Sequence, residues 1–82
     1  MDINSIMENL EYIKDLARDF GMETNCIVRV YFFDNGKYWG IRCMDANDDE
    51  CFYSKDCDSL EALRNHLDTM LVGANLANGK EI

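Results

Sequence analysis

Carboxylates are the side chains with the most chemistry to offer in this chain. Six of them fall between residues 45 and 58: Asp45, Asp48, Asp49, Glu50, Asp56 and Asp58. Glu8, Glu11, Asp15 and Asp19 recur every three or four residues near the start. Clustered carboxylates can ligate a cation, exchange protons beside a partner group, or attract a basic surface. Calcium ligation fits poorly, because Asp-x-x-Asp-Asp-Glu lacks the ligand spacing and the invariant glycine of a calcium loop. Proton exchange needs a matched partner group, and His66 is the only histidine. It stands between Asn65 and Leu67 with no nucleophile motif beside it, so the chain does not read as an enzyme. The four cysteines, Cys26, Cys43, Cys51 and Cys57, contain no Cys-x-x-Cys pair, and a zinc site is not expected. Cys26 and Cys43 read as small core residues. Cys57 precedes a helix, a position that lowers a thiol pKa. No metal and no cofactor is expected.

What remains is electrostatic attraction. Sixteen acidic residues face eight basic ones over 82 residues, for a net charge of −8. Such a surface repels nucleic acid and anionic membrane and draws in basic protein surfaces. A direct nucleic-acid contact is further disfavoured because phosphate contacts dominate that affinity. The hydrophobic fraction of 48% is too high for a disordered chain. No run approaches the ~20 apolar residues of a membrane span. The N-terminal Met1-Asp2-Ile3-Asn4 lacks the basic and apolar regions of a signal peptide. The expectation is a cytoplasmic protein with reduced cysteines.

The elements that position these groups follow from periodicity. Ile3, Ile6, Met7, Leu10, Ile13, Leu16, Ala17 and Phe20 recur at helical spacing, predicting a helix from Ile3 to Phe20 with Gly21 as its C-terminal cap. Residues 25–33 and 38–44 read as strands joined through Asp34-Asn35-Gly36-Lys37, since Asn-Gly tolerates the positive φ of a type I′ turn. That turn sets Phe33 against Tyr38, Tyr31 against Gly40 and Arg29 against Arg42. Cys26, Val28, Val30, Phe32, Trp39, Ile41 and Cys43 then share a core face, and a one-residue slip would scramble the segregation. An acidic turn over residues 45–49 leads to a short third strand from Glu50 to Ser54. In that strand Phe52 is expected to enter the core and Tyr53 to lie beside Arg42. Asp58 caps the last helix with Glu61 reaching back. Leu60, Leu63, Leu67, Met70 and Leu71 form its apolar stripe, and Gly73 ends it. The result is a single α+β domain over residues 1–82. It has α-β-β-β-α order: a three-stranded antiparallel meander with flanking helices on one face, and residues 74–82 as a flexible tail or short final turn.

Three surfaces then carry a binding function. The acidic ridge on the first helix (Glu8, Glu11, Asp15) sets like charges side by side, each pair costing about 0.2–0.5 kcal/mol. It reads either as a solvated face or as a partner-binding ridge. The hairpin-tip acids Asp45, Asp48, Asp49 and Glu50 have no evident structural duty, unlike Asp58, and Asp56 adds to them; they read either as a contact for a basic partner or as plain solubilising charge. The open sheet face carries Tyr31, Phe33, Tyr38 and Tyr53 beside Arg29 and Arg42. Tyrosine and arginine are favoured at interfaces. The opposed arginines repel unless an anion or an aromatic ring intervenes, so internal stacking of tyrosine on arginine is the competing reading.

The element order is that of double-stranded-RNA-binding domains, but those carry basic helix ends where this chain has Asp56, Asp58 and Glu61. The chain also resembles the small acidic anti-CRISPR proteins of phages, specifically the Cas9-inhibitor type with α-β-β-β-α-α order. The likeness rests on Ile27-Val28-Arg29-Val30 leading to Asp34-Asn35-Gly36, followed by Asp45, Asp48, Asp49 and Glu50. The C-terminal half departs from that pattern, with one clear helix after the sheet. The resemblance implies a phage-encoded inhibitor in the host bacterial cytoplasm, with carboxylates blocking the basic nucleic-acid channel of a CRISPR effector. A different class of function also fits: a homo-oligomeric scaffold pairing through the exposed aromatic sheet face. Both a monomer and a homodimer are compatible with the sequence.

Overall fold

A computed structural model describes residues 3–79. Two helices and three strands run in the order α1 (Ile3–Thr24), β1 (Ile27–Phe33), β2 (Tyr38–Met44), β3 (Cys51–Cys57) and α2 (Leu60–Ala77). The strands form one antiparallel sheet in the order β1-β2-β3. Both helices lie on the same face of it. Arg64 of α2 bonds Asn9 of α1 (3.1 Å), and Asn78 beyond α2 bonds the Glu23 carbonyl (2.9 Å). Both pairs are separated by the same length of chain, so the two helices run parallel. The molecule is a thin two-layer slab whose shortest extent is 16 Å.

The core is the seam between these layers. Ile13 of α1, Ile41 and Cys43 of β2, and Leu63 and Leu67 of α2 are wholly buried. Leu16, Cys57 and Leu60 complete the cluster, with Val28, Val30, Trp39 and Met70 packed half-buried against it. The β1–β2 register is the expected one, with Phe33 opposite Tyr38, Tyr31 opposite Gly40 and Arg29 opposite Arg42. Asn35 and Gly36 take positive φ, and Lys37 N donates to the Asp34 carbonyl (3.1 Å). The turn chemistry thus places every β1 side chain on its predicted face. Depth differs from face, however. Phe32 sits on the core side against Trp39 yet remains 64% exposed, because no element among the described residues covers that corner.

Four expectations are corrected. Helix α1 runs past Gly21 to Thr24. Asn25 takes the left-handed conformation (φ 53), and Cys26 N donates back to the Gly21 carbonyl (3.0 Å), a Schellman closure. Gly21 is required for a different reason: a Cβ there would stand 2.7 Å from the Cys26 carbonyl oxygen. Helix α2 is capped by Ser59, whose hydroxyl accepts from Ala62 N (3.0 Å), and not by Asp58. Strand β3 runs from Cys51 to Cys57, not from Glu50 to Ser54. An irregularity between Cys43 and Met44 shifts its register, so Tyr53 opposes Cys43 and Ser54 opposes Arg42. One extra residue at a bulge exchanges the faces of everything after it. Tyr53 therefore takes the place opposite Cys43 foreseen for Phe52, Cys57 joins the core opposite Trp39, and Phe52 is left 60% exposed.

The fourth correction concerns Gly73. Helix α2 continues through it to Ala77, and the left-handed residue that closes the helix is Gly79 (φ 76). Residues 74–77, expected in a tail, are helical, and Asn78 and Gly79 form the turn that closes the helix; residues 80–82 of the expected tail lie outside the described residues. Gly73 is an exposed helix-interior glycine, and a Cβ added there would meet nothing within 4 Å. Gly73→Ala should therefore stabilise the fold by about 0.5–1 kcal/mol. Urea unfolding followed by circular dichroism measures this. A lowered midpoint would mean that the position needs glycine after all.

Candidate functional site

On the open sheet face, one glycine organises the chemistry. Gly40 lies at the centre of the sheet between Tyr31 on β1 and Asp56 on β3. The Tyr31 side chain crosses the central strand over Gly40, and its hydroxyl donates to Asp56 Oδ1 (2.8 Å). Its ring also carries the Arg42 guanidinium at 5.3 Å and packs 5.8 Å from Phe33, which stacks on Tyr38 at 5.3 Å. Burial pushes the Tyr31 phenol pKa up, and the bond to Asp56 adds to that. Arg29, directly opposite Arg42, turns the other way: its Nε donates to Asp48 Oδ1 (3.1 Å), and a second contact joins its Nη2 to Asp48 Oδ2. These bonds hold the Asp48 carboxyl below its usual range. The like-charge repulsion across β1 and β2 is thus relieved twice, once by a carboxylate and once by an aromatic ring.

The β2–β3 loop acids have structural duties that their sequence position conceals. Asp45 Oδ1 accepts from Asn47 N (3.1 Å) and Asp49 N (2.8 Å), while Asp45 N donates to the Glu50 carbonyl (2.9 Å). Asp48 takes positive φ at the loop tip and reaches Arg29. The expectation that these hairpin acids lack such duty is corrected for both. Asp49 and Glu50 stay exposed.

The helical layer gathers a second set. Glu8, Glu11 and Asp15 are exposed on α1, with Asp19 beside them. At helical spacing Glu8 and Asp19 tilt toward α2, and Glu61 and Asp68, exposed on α2, tilt back toward α1. The α1–α2 seam is therefore flanked by carboxylates along its outer surface. Arg64 is the cation inside it, held by Asn9 and by the Tyr12 ring at 4.6 Å. Arg18 bridges Asp15 (3.5 Å) and Asp19 (3.3 Å). These are exposed pairs, which contribute little to stability.

Tyr53 belongs to neither set. The register shift turns it to the helix side, where its hydroxyl meets His66 Nε2 at 2.7 Å and the two rings stack 5.9 Å apart. Burial holds the His66 pKa below its ordinary value, with Lys55 adding to the effect. The sequence-predicted residues therefore divide. Tyr31, Tyr38, Asp48 and Asp56 stand on the sheet face, with Asp45, Asp49 and Glu50 at its loop end. Glu8, Glu11 and Asp15 stand on the helical layer behind it, and Tyr53 at the β3–α2 edge.

Two further features lie outside both sets. The Cys43 thiol is pushed up to about 11, chiefly by burial and then by neighbouring Cys26, and the Cys57 thiol is also raised by burial, so the lowered pKa expected at Cys57 is corrected. A groove of about 820 Å³ runs between α1 and the free edge of β1. Leu10, Met22, Phe32 and Trp39 line it with Lys14 and Arg18, and no acidic residue does. Its signal in the sequence is the placing of apolar Phe32 and Trp39 on a core face with no third helix to cover them. Among the described residues, no three His, Cys, Asp or Glu side chains converge to hold a metal, and no helix is long and apolar enough to cross a membrane. The chain matches no family model, no curated protein and no solved structure.

Two outcomes are expected. In Gly40→Ala the new Cβ would meet Tyr31 Cζ and Oη at 2.7 Å and Asp56 Oδ1 at 2.8 Å. Lost stability of about 1–3 kcal/mol should accompany a return of the Tyr31 phenol toward its ordinary pKa in a spectroscopic titration. Separately, His66 has a lowered folded-state pKa, so the unfolded chain takes up its proton first. Stability should fall as pH drops below about 6.5 toward the folded value. Unfolding midpoints across pH 7.5 to 5.5 should show that loss in the wild type and less of it in His66→Gln.

Proposed function

We propose that the protein acts by stoichiometric binding and that its acidic helical layer occupies a basic, nucleic-acid-binding surface on a protein partner. The observation that carries this reading is the exposed row Glu8, Glu11 and Asp15 beside Glu61 and Asp68, where Arg18 and Arg64 are already engaged. Carboxylates every three or four residues on a helix give about one charge per 5 Å, against ~3.4 Å per strand of DNA. The mimicry is partial, and two parallel helices compensate by presenting two rows. Asp49 and Glu50 at the loop add charge at one end of the slab. The resemblance to acidic anti-CRISPR proteins points to a phage-type inhibitor and to a CRISPR effector as the class of partner. Asp48 and Asp56 contribute less to this reading than their sequence position suggests, since each is committed to a side chain of the sheet face.

The test is charge reversal at residues with few internal bonds. Glu8→Lys, Glu11→Lys and Asp15→Lys together should leave the fold intact, abolish capture of basic nucleic-acid-binding proteins from bacterial lysate, and flatten the salt dependence of capture. Duplex DNA added as competitor should displace what the wild type retains. Retention that survives both the triple reversal and excess DNA would refute the polyanion reading.

A further inference from the structure

The two edges of the sheet are built differently. The β3 edge carries Ser54, Lys55 and Asp56 and the register irregularity at its start, devices that keep a free strand from pairing with another chain. The β1 edge has none of them. Its seven residues, Ile27-Val28-Arg29-Val30-Tyr31-Phe32-Phe33, are apolar or aromatic except for Arg29, and Arg29 is neutralised by Asp48. Beside it lies the groove that exposes Phe32 and Met22 and has no acidic residue in its lining. In a chain of net charge −8, this is the flank where two copies repel least.

We propose that β1 is the contact edge of a symmetric dimer, pairing antiparallel with β1 of a second copy about a twofold axis at Val30. Symmetry and charge select this register. Centring on Arg29 would oppose two guanidinium groups. Centring on Val30 pairs all seven residues: Arg29 meets Tyr31 of the second copy, Val28 meets its Phe32, and Ile27 meets its Phe33. Arg29, already paired with Asp48, then opposes an uncharged residue and not a second arginine. The exposed Phe32 gains an apolar neighbour on the groove side, and the outward backbone groups of β1 find partners. The occupant is a second copy because this strand is complementary to itself in side-chain type and charge at every position. This goes beyond the binding function proposed above and does not depend on it.

Light scattering over a concentration series should show the mass rising to twice the 9.5 kDa of the chain. Phe32→Lys, which sets a charge against Val28 of the second copy, should weaken association at least tenfold. Val30→Cys places two Cβ atoms about 4.5–5.5 Å apart across the axis, close enough to bridge with small adjustment. In a Cys51→Ser background, mild oxidation should link Val30→Cys dimers several-fold faster than Val28→Cys, whose counterpart is Phe32. A chain that stays monomeric at hundreds of micromolar overturns the proposal. So does a dimer that crosslinks equally at both positions. A monomer whose Trp39 fluorescence responds to dodecanoate overturns it as well, and assigns the groove to an amphiphile.

Discussion

The structure depends on burying one face of one strand. Ile41 and Cys43 at the middle of β2 have no exposure, and Ile13, Leu63 and Leu67 close over them from the two helices. A chain of this length buries only about 60% of its unfolded surface, and here the buried side chains of both helices and of β2 and β3 form one cluster. Two consequences follow. Among the described residues no element covers the opposite face of the sheet, so its polar and aromatic groups satisfy one another. The helices must lie side by side to reach the same strand, which brings their outer carboxylates together.

The open face solves its problem with geometry more than with charge. Arg29 and Arg42 are paired across strands by the register of the hairpin. A sheet with side chains at every position would leave them facing each other. The missing side chain at Gly40 lets Tyr31 cross the central strand to Asp56. That crossing lays an aromatic ring beneath Arg42 and leaves Arg29 to Asp48. The net result is a face with aromatic character and internally paired ions, whereas the helical seam keeps its carboxylates exposed.

Legibility in the sequence tracks the range of the interaction responsible. The hairpin register is readable because a local rule, the positive φ of Asn35-Gly36, sets it. Helix α1 is readable from its apolar period, but its end is not. Asn25 and Gly21 both suit a cap, and only the path of Cys26 back over the helix decides between them. The register of β3 depends on a bulge that leaves no local mark, so alternation alone puts Phe52 and Tyr53 on the wrong faces. Gly73 reads as a stop, yet the helix continues to Ala77, where Asn78 ties its end to Glu23 of α1 across the layer. For the candidate surfaces, the residue types are legible and their commitments are not. Asp45, Asp48 and Asp56 look like free charge in one dimension. The loop backbone, Arg29 and Tyr31 that engage them lie across turns or strands that only the fold brings close.

The charges are also sorted by direction, and that sorting links the two proposals. On α1, the flank toward β1 carries Lys14 and Arg18 with apolar neighbours, while the flank toward α2 carries Glu8 and Asp19. A twofold that pairs the β1 edges stands perpendicular to the sheet, so both helical layers fall on the same side of the doubled slab. Each seam then presents its carboxylates in the same direction, and a basic partner would meet two parallel acidic surfaces in place of one. Joining two such surfaces raises apparent affinity through effective concentration without any new type of contact, and it steepens the dependence on salt because more charge pairs form together. The edge that lacks acids and the seam that gathers them are thus complementary uses of one distribution: repulsion is least where copies could join, and negative charge is densest where a cationic partner would dock.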